Sequence, residues 1–366
     1  MKDAREVQKL PPVWFIRLLG SFRQALISLS KKMYPANVVI SEHIQYFWLL
    51  SCIRVAAELN IAEILKNGPK TIEEIAQLSG THSESLHRVM RALASQGIFR
   101  KNRDNRFANT SLSKPLMDGK GSLRNMIMHH LGKLNWSVFN EILYTVKTGK
   151  DAFSKVNGKR IYDYLSEQEE ESALFDKSMT DLTDFSIEPL LNSYDFSGYK
   201  TIADIGGGEG LLLANILFKH KNTQGILIDL PAGLNNSQMI FEKYGVTDRV
   251  RIIPGNFFES VPEMADAYIV KNIIPNWSDE EGVMILTNIR QVLPDNGKIL
   301  LIEMVLEEDN RPSYGKIIDI QMMVCMQDGK ERTRKEFRAI IEKAGLKIKR
   351  IVPTIAPFSI IELMKR

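Results

Sequence analysis

The feature that most constrains the fold is a glycine-rich turn between an apolar strand and an apolar helix, "IADIGGGEGLLLANIL" at residues 202–217. The strand is expected to end at Ile205 and the helix to begin near Gly210. Glycine suits such a turn because a backbone without Cβ atoms lets a ligand approach closely. Asp229 ends the next apolar run, where an acid can accept both hydroxyls of a ribose. The turn and the acid together favour a nucleoside-binding site over a purely structural turn.

The turn does not match the dinucleotide fingerprint GxGxxG, which needs a third glycine. Counting from Gly206, the third position is Leu211, and counting from Gly208 it is Leu213. Asp204 would also repel a pyrophosphate and suits a ligand that carries positive charge. A nucleoside joined to a sulfonium amino acid therefore fits the two acids better than NAD does.

Strands and helices alternate through the second half of the chain, which predicts a doubly wound α/β sheet. The first half reads as helical, with one long helix expected to end at Gly68. The strands are predicted at Thr201–Ile205, Gly225–Asp229, Val250–Ile253, Ala267–Val270, Lys298–Glu303, Leu346–Ile351 and Ser359–Met364.

Residues 70–110 predict a winged helix-turn-helix. Thr71 is expected to cap a short helix, and Ser83 or Ser85 to cap a second one that runs through Ser95. Gly97 should end that helix, and two short strands should follow around a polar turn. Such a module makes a DNA-binding regulator one alternative. Its second helix is rich in apolar residues, which argues against base reading, so we expect no nucleic-acid partner.

Composition supports an ordinary globular protein long enough for two domains. The chain has 366 residues, 44% hydrophobic and 25% charged, with a formal net charge of +4 and 2 cysteines in unrelated contexts. We therefore expect no disulfide framework and no metal site. No signal peptide and no apolar run of membrane-spanning length is evident, so a cytoplasmic protein is expected. The basic amphipathic segment at residues 11–35 suits a helix packed on a partner subunit, with a membrane surface as the alternative.

The sequence resembles the class II small-molecule O-methyltransferases. The motifs "DIGGGEG", "DLP", "GNFF", "NWSDEE", "LPDNGKILLIEMV" and "DGKERTRKEFRAIIEKAGL" carry the resemblance, with "AAELNIAEIL" and "RVMRALASQGIF" in the first half. It covers residues 40–366 and includes acetylserotonin, caffeate and bacterial polyketide-tailoring enzymes. It implies an α/β fold: a Rossmann-like S-adenosylmethionine (SAM)-methyltransferase sheet at 196–366, a mostly helical winged-helix dimerisation and substrate-capping domain at 41–195, and an N-terminal extension at 1–40. A homodimer is expected.

The resemblance implies SAM as the cofactor, S-adenosylhomocysteine as its product and no metal. The glycine loop, through Gly206 and Gly208, would hold the amino-acid end, and Asp229 the ribose. Asn256 and Phe257 stand where family residues flank the adenine, although Asn256 departs from the usual Asp. The remaining predicted cofactor contacts are Asp204, Leu230, Gly255, Lys271 and Tyr162.

The family's catalytic histidine is missing. The plant-like family pattern K-x-x-x-H-D-W-x-D keeps Lys271, Trp277 and Asp279 in register here, but Pro275 replaces the His and Asn276 the Asp. In family enzymes that His is the general base that takes the proton of the acceptor hydroxyl. Proline has no group that can do so.

The candidate catalytic residues are therefore Asn276 and the family's two supporting acids, Glu303 and Glu331. Three interpretations stay open. Methyl transfer proceeds by proximity and desolvation without a base, as in members resembling carminomycin 4-O-methyltransferase. Alternatively the scaffold performs other chemistry, hydroxylation or decarboxylation, as in the related aclacinomycin 10-hydroxylase, or it has lost activity. The first is favoured, and Glu331 could otherwise be a solvated loop residue.

The acceptor is expected to be a small, apolar aromatic ring compound, bound between the helical half and the sheet edge. The methionines of "DIQMMVCMQ" suit a flat guest, since the matching family helix lines the acceptor site. The predicted pocket residues are Trp136, Phe139, Met179, Asp319, Met322, Met323 and Met326.

Overall fold

The computed structural model describes residues 11–261 and 265–366, and its chain divides into two compact units. One unit holds residues 21–137 and 170–185, and the other holds 138–169, 186–366 and the described residues before 21. The helices are α1 (Val13–Lys32), α2 (Ala36–Glu58), α3 (Ile61–Ile64), α4 (Ile72–Ser79), α5 (Ser83–Ser95), α6 (Arg124–His130), α7 (Lys133–Phe139), α8 (Ile142–Thr148), α9 (Ala152–Asn157), α10 (Ile161–Glu167), α11 (Glu169–Ser193), α12 (Leu211–Lys219), α13 (Ser237–Tyr244), α14 (Asp279–Val292), α15 (Tyr314–Cys325) and α16 (Arg334–Lys343). The strands are β1 (Phe99–Lys101), β2 (Phe107–Asn109), β3 (Thr201–Ile205), β4 (Gln224–Asp229), β5 (Val250–Pro254), β6 (Ala267–Lys271), β7 (Lys298–Glu303), β8 (Val305–Leu306), β9 (Arg332–Thr333), β10 (Leu346–Pro353) and β11 (Ser359–Lys365).

The winged-helix pattern is present in the first unit as α4, α5 and the β1–β2 hairpin. Thr71 caps α4 as predicted, in a capping box in which its hydroxyl accepts from the Glu74 N–H and the Glu74 carboxylate accepts from the Thr71 N–H. The predicted cap of α5 by Ser83 or Ser85 was wrong. Within the described residues the N-cap is His82 without a side-chain cap, because Ser85 Oγ pairs with His82 Nδ1 instead, 3.0 Å away.

The long helix predicted to reach Gly68 is broken, so that prediction was also wrong. The helix α2 ends at Glu58, and Asn60 takes a left-handed conformation with φ of 53° before the short α3 begins. An apolar core holds these helices to the hairpin. Its fully buried members include Ala57, Ile61, Ile75, Met90, Leu93, Phe99 and Phe107.

A seven-stranded sheet forms the centre of the second unit, in the order β10-β11-β7-β6-β3-β4-β5. All seven predicted strands are present, and their bounds differ from prediction by no more than a few residues. Strands β5, β4, β3, β6 and β7 are parallel, whereas β11 pairs antiparallel with both of its neighbours, β7 and β10. From β3 the chain continues through β4 to β5 on one side, and it then crosses to β6 on the other side of β3. The topological switch point therefore lies at β3. Ligands of such sheets bind at the carboxyl ends of the strands there.

Strand β10 is one edge of the sheet. Lys347, Lys349 and Arg350 are exposed along it, and its pairing with β11 shifts register between Ile348 and Arg350. On one face of the sheet, buried side chains from β3, β4, β6, β7, α14 and α16 pack into one core. Its members include Ala203, Ile205, Ile228, Val270, Ile285, Leu286, Ile299, Leu301, Phe337 and Ile341.

The two N-terminal helices display apolar side chains on their surface. None of the residues of α1 is buried in the single chain. Within the described ranges, no helix combines the length and apolar character needed to cross a membrane. The exposed large apolar residues here are Trp14, Phe15, Leu18, Leu19, Phe22, Leu26, Leu29, Met33, Tyr34, Ile40, Ile44, Tyr46, Phe47, Trp48 and Leu50.

Candidate active site

The glycine turn after β3 is built as the sequence predicts, with positive φ angles at Gly206, Gly208 and Gly210. Gly206 has φ of 65°, and a Cβ atom there would lie 2.5 Å from Ile273 Cδ1, so a larger residue would collide. Gly208 has φ of 57°, yet a Cβ there would meet no described atom within 4 Å. The turn is therefore packed against the protein at Gly206 and open at Gly208, where a ligand can approach the backbone.

Asp229 ends β4 beside this turn and is held by backbone donors. Its Oδ2 accepts from the Gly208 N–H at 2.7 Å and its Oδ1 from the Leu230 N–H at 2.7 Å. The Gly255 N–H donates to the Asp229 carbonyl at 2.9 Å, so the ends of β4 and β5 are tied together. Burial raises the pKa of the Asp229 carboxyl. Each carboxylate oxygen keeps a second lone pair, which leaves capacity for ligand hydroxyls.

Asp204, which is buried, and Lys271, which is half-buried, are electrostatic neighbours near the turn. Asp204 is 2% exposed, and burial raises its pKa to about 7, partly opposed by the charge of Lys271. Lys271 ends β6, and burial lowers its pKa to about 8 against the pull of Glu303 and Asp204. The two side chains thus place a weak acid and a weak base together at the strand ends.

Asn256 and Phe257 follow β5 in a turn that Asn256 itself stabilises. Its Oδ1 accepts from the Phe258 N–H at 3.0 Å and its Nδ2 donates to Glu259 Oε1 at 3.1 Å. Phe257 and Phe258 both meet Trp277 edge to face, with ring centroids 6.3 and 4.8 Å apart. Sequence reasoning missed this aromatic cluster, because its members are spread over the chain and aromatic residues alone do not indicate contact.

Tyr162 joins the cluster from α10. Its ring stacks on Trp277 with centroids 5.9 Å apart and an interplanar angle of 19°. The ring is 39% exposed, whereas its hydroxyl is enclosed near Asp229 and hydrogen-bonded to the Asn276 side chain; burial, with the Asp229 charge second, raises its pKa. The structure therefore brings Tyr162 and Asn276 together beside the predicted ribose acid.

The turn at Ile274–Asn276 carries Pro275, which is buried. Asn272 precedes it with φ of 56°, and its carbonyl accepts from Asn276 Nδ2 at 3.0 Å. From beneath, Glu303 Oε1 accepts from the Ile273 and Ile274 N–H groups at 3.1 and 3.3 Å. Those bonds fix the turn to the end of β7.

Arg332 clamps the same turn from the other side, and sequence reasoning missed it. Its side chain is fully buried, and its Nη2 lies 2.8 Å from Asp279 Oδ1. It also donates to the carbonyls of Ile274, Trp277 and Lys330 at 2.9, 2.8 and 3.2 Å. Glu303 and Arg332 thus hold the turn from two sides.

Glu331 is buried, so the alternative of a solvated loop residue was wrong. It is 6% exposed, its N–H donates to Asp319 Oδ1 at 2.8 Å, and burial followed by the Asp319 charge raises its pKa to about 8. Glu303 is fully buried, and burial followed by the charge of Glu331 holds its pKa well above its usual range. Glu331 is therefore close enough to Glu303 for its charge to raise the pKa of Glu303.

The predicted pocket residues divide between the two units. In the sheet-containing unit, Met322 is 8% exposed on α15, Met323 is half-buried beside it, and Met326 follows the end of the helix. Phe139 belongs to this unit too. Trp136 and Met179 belong to the other unit, where Trp136 packs edge to face on Phe47 with centroids 5.1 Å apart. Their role in acceptor binding stays a prediction.

Among the described residues, no cluster of three or more His, Cys, Asp or Glu side chains is arranged to hold a metal ion. The doubly wound sheet, its glycine turn and the strand-end acid are typical of the α/β proteins that bind a nucleoside at the carboxyl ends of their strands. Comparison with known protein families identifies the family to which the chain belongs. An O-methyltransferase domain family matches residues 139–347, and an O-methyltransferase dimerisation domain family matches residues 41–119. The chain belongs to the class II O-methyltransferase family.

Individual relatives agree with that assignment. The chain is 33% identical to the phenazine O-methyltransferase PhzM of Lysobacter antibioticus over 90% of this chain and 96% of the relative. The crystal structure of LaPhzM superposes with a TM-score of 0.86 at 33% identity, covering 91% of this chain and 100% of that one. The neocarzinostatin-biosynthesis enzyme NcsB1, solved with SAM and 2-hydroxy-5-methyl naphthoic acid, gives a TM-score of 0.73 at 27% identity, covering 87% and 96%. The winged-helix module is thus matched as a dimerisation domain rather than as a DNA-binding one.

Proposed function

We propose that this O-methyltransferase moves a methyl group from SAM to a hydroxyl of a small aromatic natural product without a histidine base. Nitrogen or carbon acceptors are included in the proposal. The observation that supports it most directly is Pro275, a residue with no proton-accepting side chain, fixed in the turn between Glu303 and Arg332. The intact glycine turn and Asp229 support cofactor binding in the same site.

The residues at the carboxyl ends of β3, β4 and β5 fit SAM. The open side of Gly208 lets the amino-acid end approach the backbone, and Asp229 has acceptor capacity for the ribose hydroxyls. Phe257 offers an aromatic face for the adenine, and Asn256 an amide beside it. When bound there, SAM supplies an electrophilic methyl group on a sulfonium.

The protein's own contribution is then alignment and desolvation. Well-oriented reactants gain about 7–11 kcal/mol from proximity alone, which is enough for an acceptor that is already partly ionised. The Arg332 and Glu303 contacts keep Asn276 and Trp277 in one arrangement. We assign Asn276 a positioning role, because its side chain is hydrogen-bonded both to the Tyr162 side chain and to the Asn272 carbonyl.

We further propose that the enzyme works as a homodimer, with residues 41–195 as the dimerisation and substrate-capping domain and 196–366 as the SAM-binding domain. The exposed apolar surface of α1 and α2 supports this. The boundaries of these domains and the cytoplasmic location stay predictions from the sequence. A monomer mass in light scattering at micromolar concentration would contradict the dimer.

The test is mass spectrometry of reactions that contain SAM and a panel of phenols, amines and polyketide-like aromatics. We expect a product one methylene heavier than its acceptor, formed together with S-adenosylhomocysteine. A product one oxygen heavier, or loss of a carboxyl group with SAM unconsumed, would instead assign the scaffold to other chemistry. Asn276→Ala should lower turnover, whereas Asp295→Asn, at a 98% exposed side chain, is the matched control. Full turnover in Asn276→Ala would remove the role given to Asn276.

A further inference from the structure

One side of the helix α1 is apolar and exposed. At about 100° per residue, its large side chains fall within an arc of about 140°. Their exposed fractions run from 48% at Leu19 to 67% at Trp14. We call this surface the apolar face of α1, and its large side chains are those of Trp14, Leu18, Leu19, Phe22, Leu26 and Leu29. A contiguous exposed apolar surface of this kind indicates a docking site.

The opposite side of α1 is the one that the chain itself partly covers. The half-buried residues of the helix are Val13, Ile16, Gln24 and Ile27. On the same helical projection they fall within an arc of about 80°, centred opposite the apolar face. The helix is therefore held to the chain by one side, and its apolar face points away from the chain toward whatever it binds.

The helix α1 lies outside the part of the chain that the family shares. The dimerisation-domain match begins at residue 41, inside α2, so α1 precedes both family matches. The structure of LaPhzM is covered over 100% of its length by 91% of this chain, so this chain carries residues that LaPhzM does not have. The match to the dimerisation domain is thus complete without α1, and the apolar face needs another explanation.

The charges of α1 select an anionic surface as the partner. The helix contains no Asp or Glu, and its basic residues, Arg17, Arg23, Lys31 and Lys32, are all exposed. Arg23 borders the apolar face on one side, and Arg17 and Lys32 border it on the other. Long basic side chains in this position can reach lipid phosphates while the apolar side chains between them leave water. A second copy of α1 packed on this face would instead bring like charges together.

We infer that α1 docks the enzyme on the surface of an anionic lipid bilayer. The helix lies in the plane of the interface, with its apolar face at the boundary of the acyl chains and its basic side chains among the phosphates. Within the described ranges no helix is long and apolar enough to cross a membrane, so α1 lies on the bilayer and does not span it. This inference goes beyond the proposed function and does not depend on methyl transfer.

Two double variants separate the apolar part of this surface from its charge. The apolar variant combines Leu18→Gln with Phe22→Gln, one helical turn apart at the centre of the face. The charge variant combines Lys31→Gln with Lys32→Gln. Glutamine is a good helix former and all four positions are exposed, so the fold should be kept. Met239→Gln on α13 is the matched control, because Met239 and Phe22 are both 63% exposed.

The experiment is cosedimentation of the full-length protein with sucrose-loaded vesicles. One set of vesicles is phosphatidylcholine, and the other is an equal mixture of phosphatidylcholine and phosphatidylglycerol. We expect the wild type and Met239→Gln to bind the mixed vesicles at least about tenfold more tightly than the neutral ones. The apolar variant should bind the mixed vesicles about tenfold more weakly or worse. The charge variant should show a similar loss, about tenfold, at low salt and a smaller one at high salt.

Several results would overturn the inference. A wild type that binds neither kind of vesicle, or both equally, does not recognise an anionic bilayer. Binding that both double variants retain would place the contact elsewhere on the protein. Light scattering of the apolar variant tests the rival occupant: a monomer mass, with a dimer for wild type and control, would mean that a second copy covers this face. If the apolar variant does not fold, the charge variant and its salt dependence decide.

Discussion

Replacing Arg332 by methionine tests whether the clamp on the Pro275 turn stabilises the sheet-containing unit. The change removes the ion pair with Asp279 and the donors to the Ile274, Trp277 and Lys330 carbonyls. Removing one partner of a buried pair costs about 3–5 kcal/mol. Asp279 is 36% exposed and keeps Lys330 at 3.2 Å, so the lower end applies to the pair. Burying the methionine side chain stabilises the variant, but the lost hydrogen bonds to the three carbonyls cancel that gain. The free energy of unfolding should therefore fall by about 3 kcal/mol in all.

Urea unfolding followed by tryptophan fluorescence measures this loss. With a slope of about 2–3 kcal/mol per molar urea, the midpoint should fall by about 1 M or slightly more. Arg338→Met, at an exposed position of α16, is the matched control and should change stability by less than about 0.5 kcal/mol. Methyl transfer should fall together with stability, because Asn276 loses its fixed position. A loss below about 1 kcal/mol, or one equal to the control, would refute the reasoning that Arg332 is the clamp.

Three further outcomes follow from the structure. Gly206→Ala should weaken S-adenosylhomocysteine binding by about tenfold or more, because the new Cβ would lie 2.5 Å from Ile273 Cδ1 on a backbone with positive φ. Calorimetry measures the affinity, and an unchanged value would contradict the packing described. Thr71→Ala should lower the free energy of unfolding by about 1 kcal/mol through loss of the capping box, and a neutral result in urea would contradict it. Burial raises the pKa of Glu331 from 4.5 to about 8, so the native state binds this proton more tightly than the unfolded chain does. The free energy of unfolding should therefore fall as the pH rises from about 4.5 to about 8. Glu331→Gln should remove that loss, and equal pH dependence of the urea midpoints of variant and wild type between about pH 6 and 8 would refute it.

The sheet was predictable from the sequence because its signals are local. Each parallel strand is a short apolar run, and β3 is followed by glycines that need positive φ. The Thr71 cap was predictable for the same reason, since Glu74 stands three residues later. The N-cap of α5 was not predictable. The Ser85 hydroxyl pairs with the His82 ring rather than with a backbone N–H, and the sequence does not distinguish these two partners.

The tertiary part of the site lay beyond sequence reasoning. The Arg332–Asp279 pair joins residues 53 positions apart, and Tyr162 reaches Trp277 over a still longer separation. The sequence left Glu331 open as either a supporting acid or a solvated loop residue, because its burial depends on tertiary contacts such as its N–H bond to Asp319 of α15. Local patterns fix which residues stand at strand ends, whereas packing decides which of them lose water.

The edge strand β10 bears on how the protein behaves at high concentration. An unpaired edge exposes a row of backbone donors and acceptors that can template pairing with another chain. Here Lys347, Lys349 and Arg350 lie on the edge strand, with Lys349 and Arg350 ion-paired to Glu362 of β11 at 2.9 and 2.7 Å, and the pairing shifts register between Ile348 and Arg350. A second sheet approaching this edge would have to desolvate these charged side chains and match an irregular ladder. The fold thereby resists edge-to-edge aggregation on the side where its antiparallel strands end.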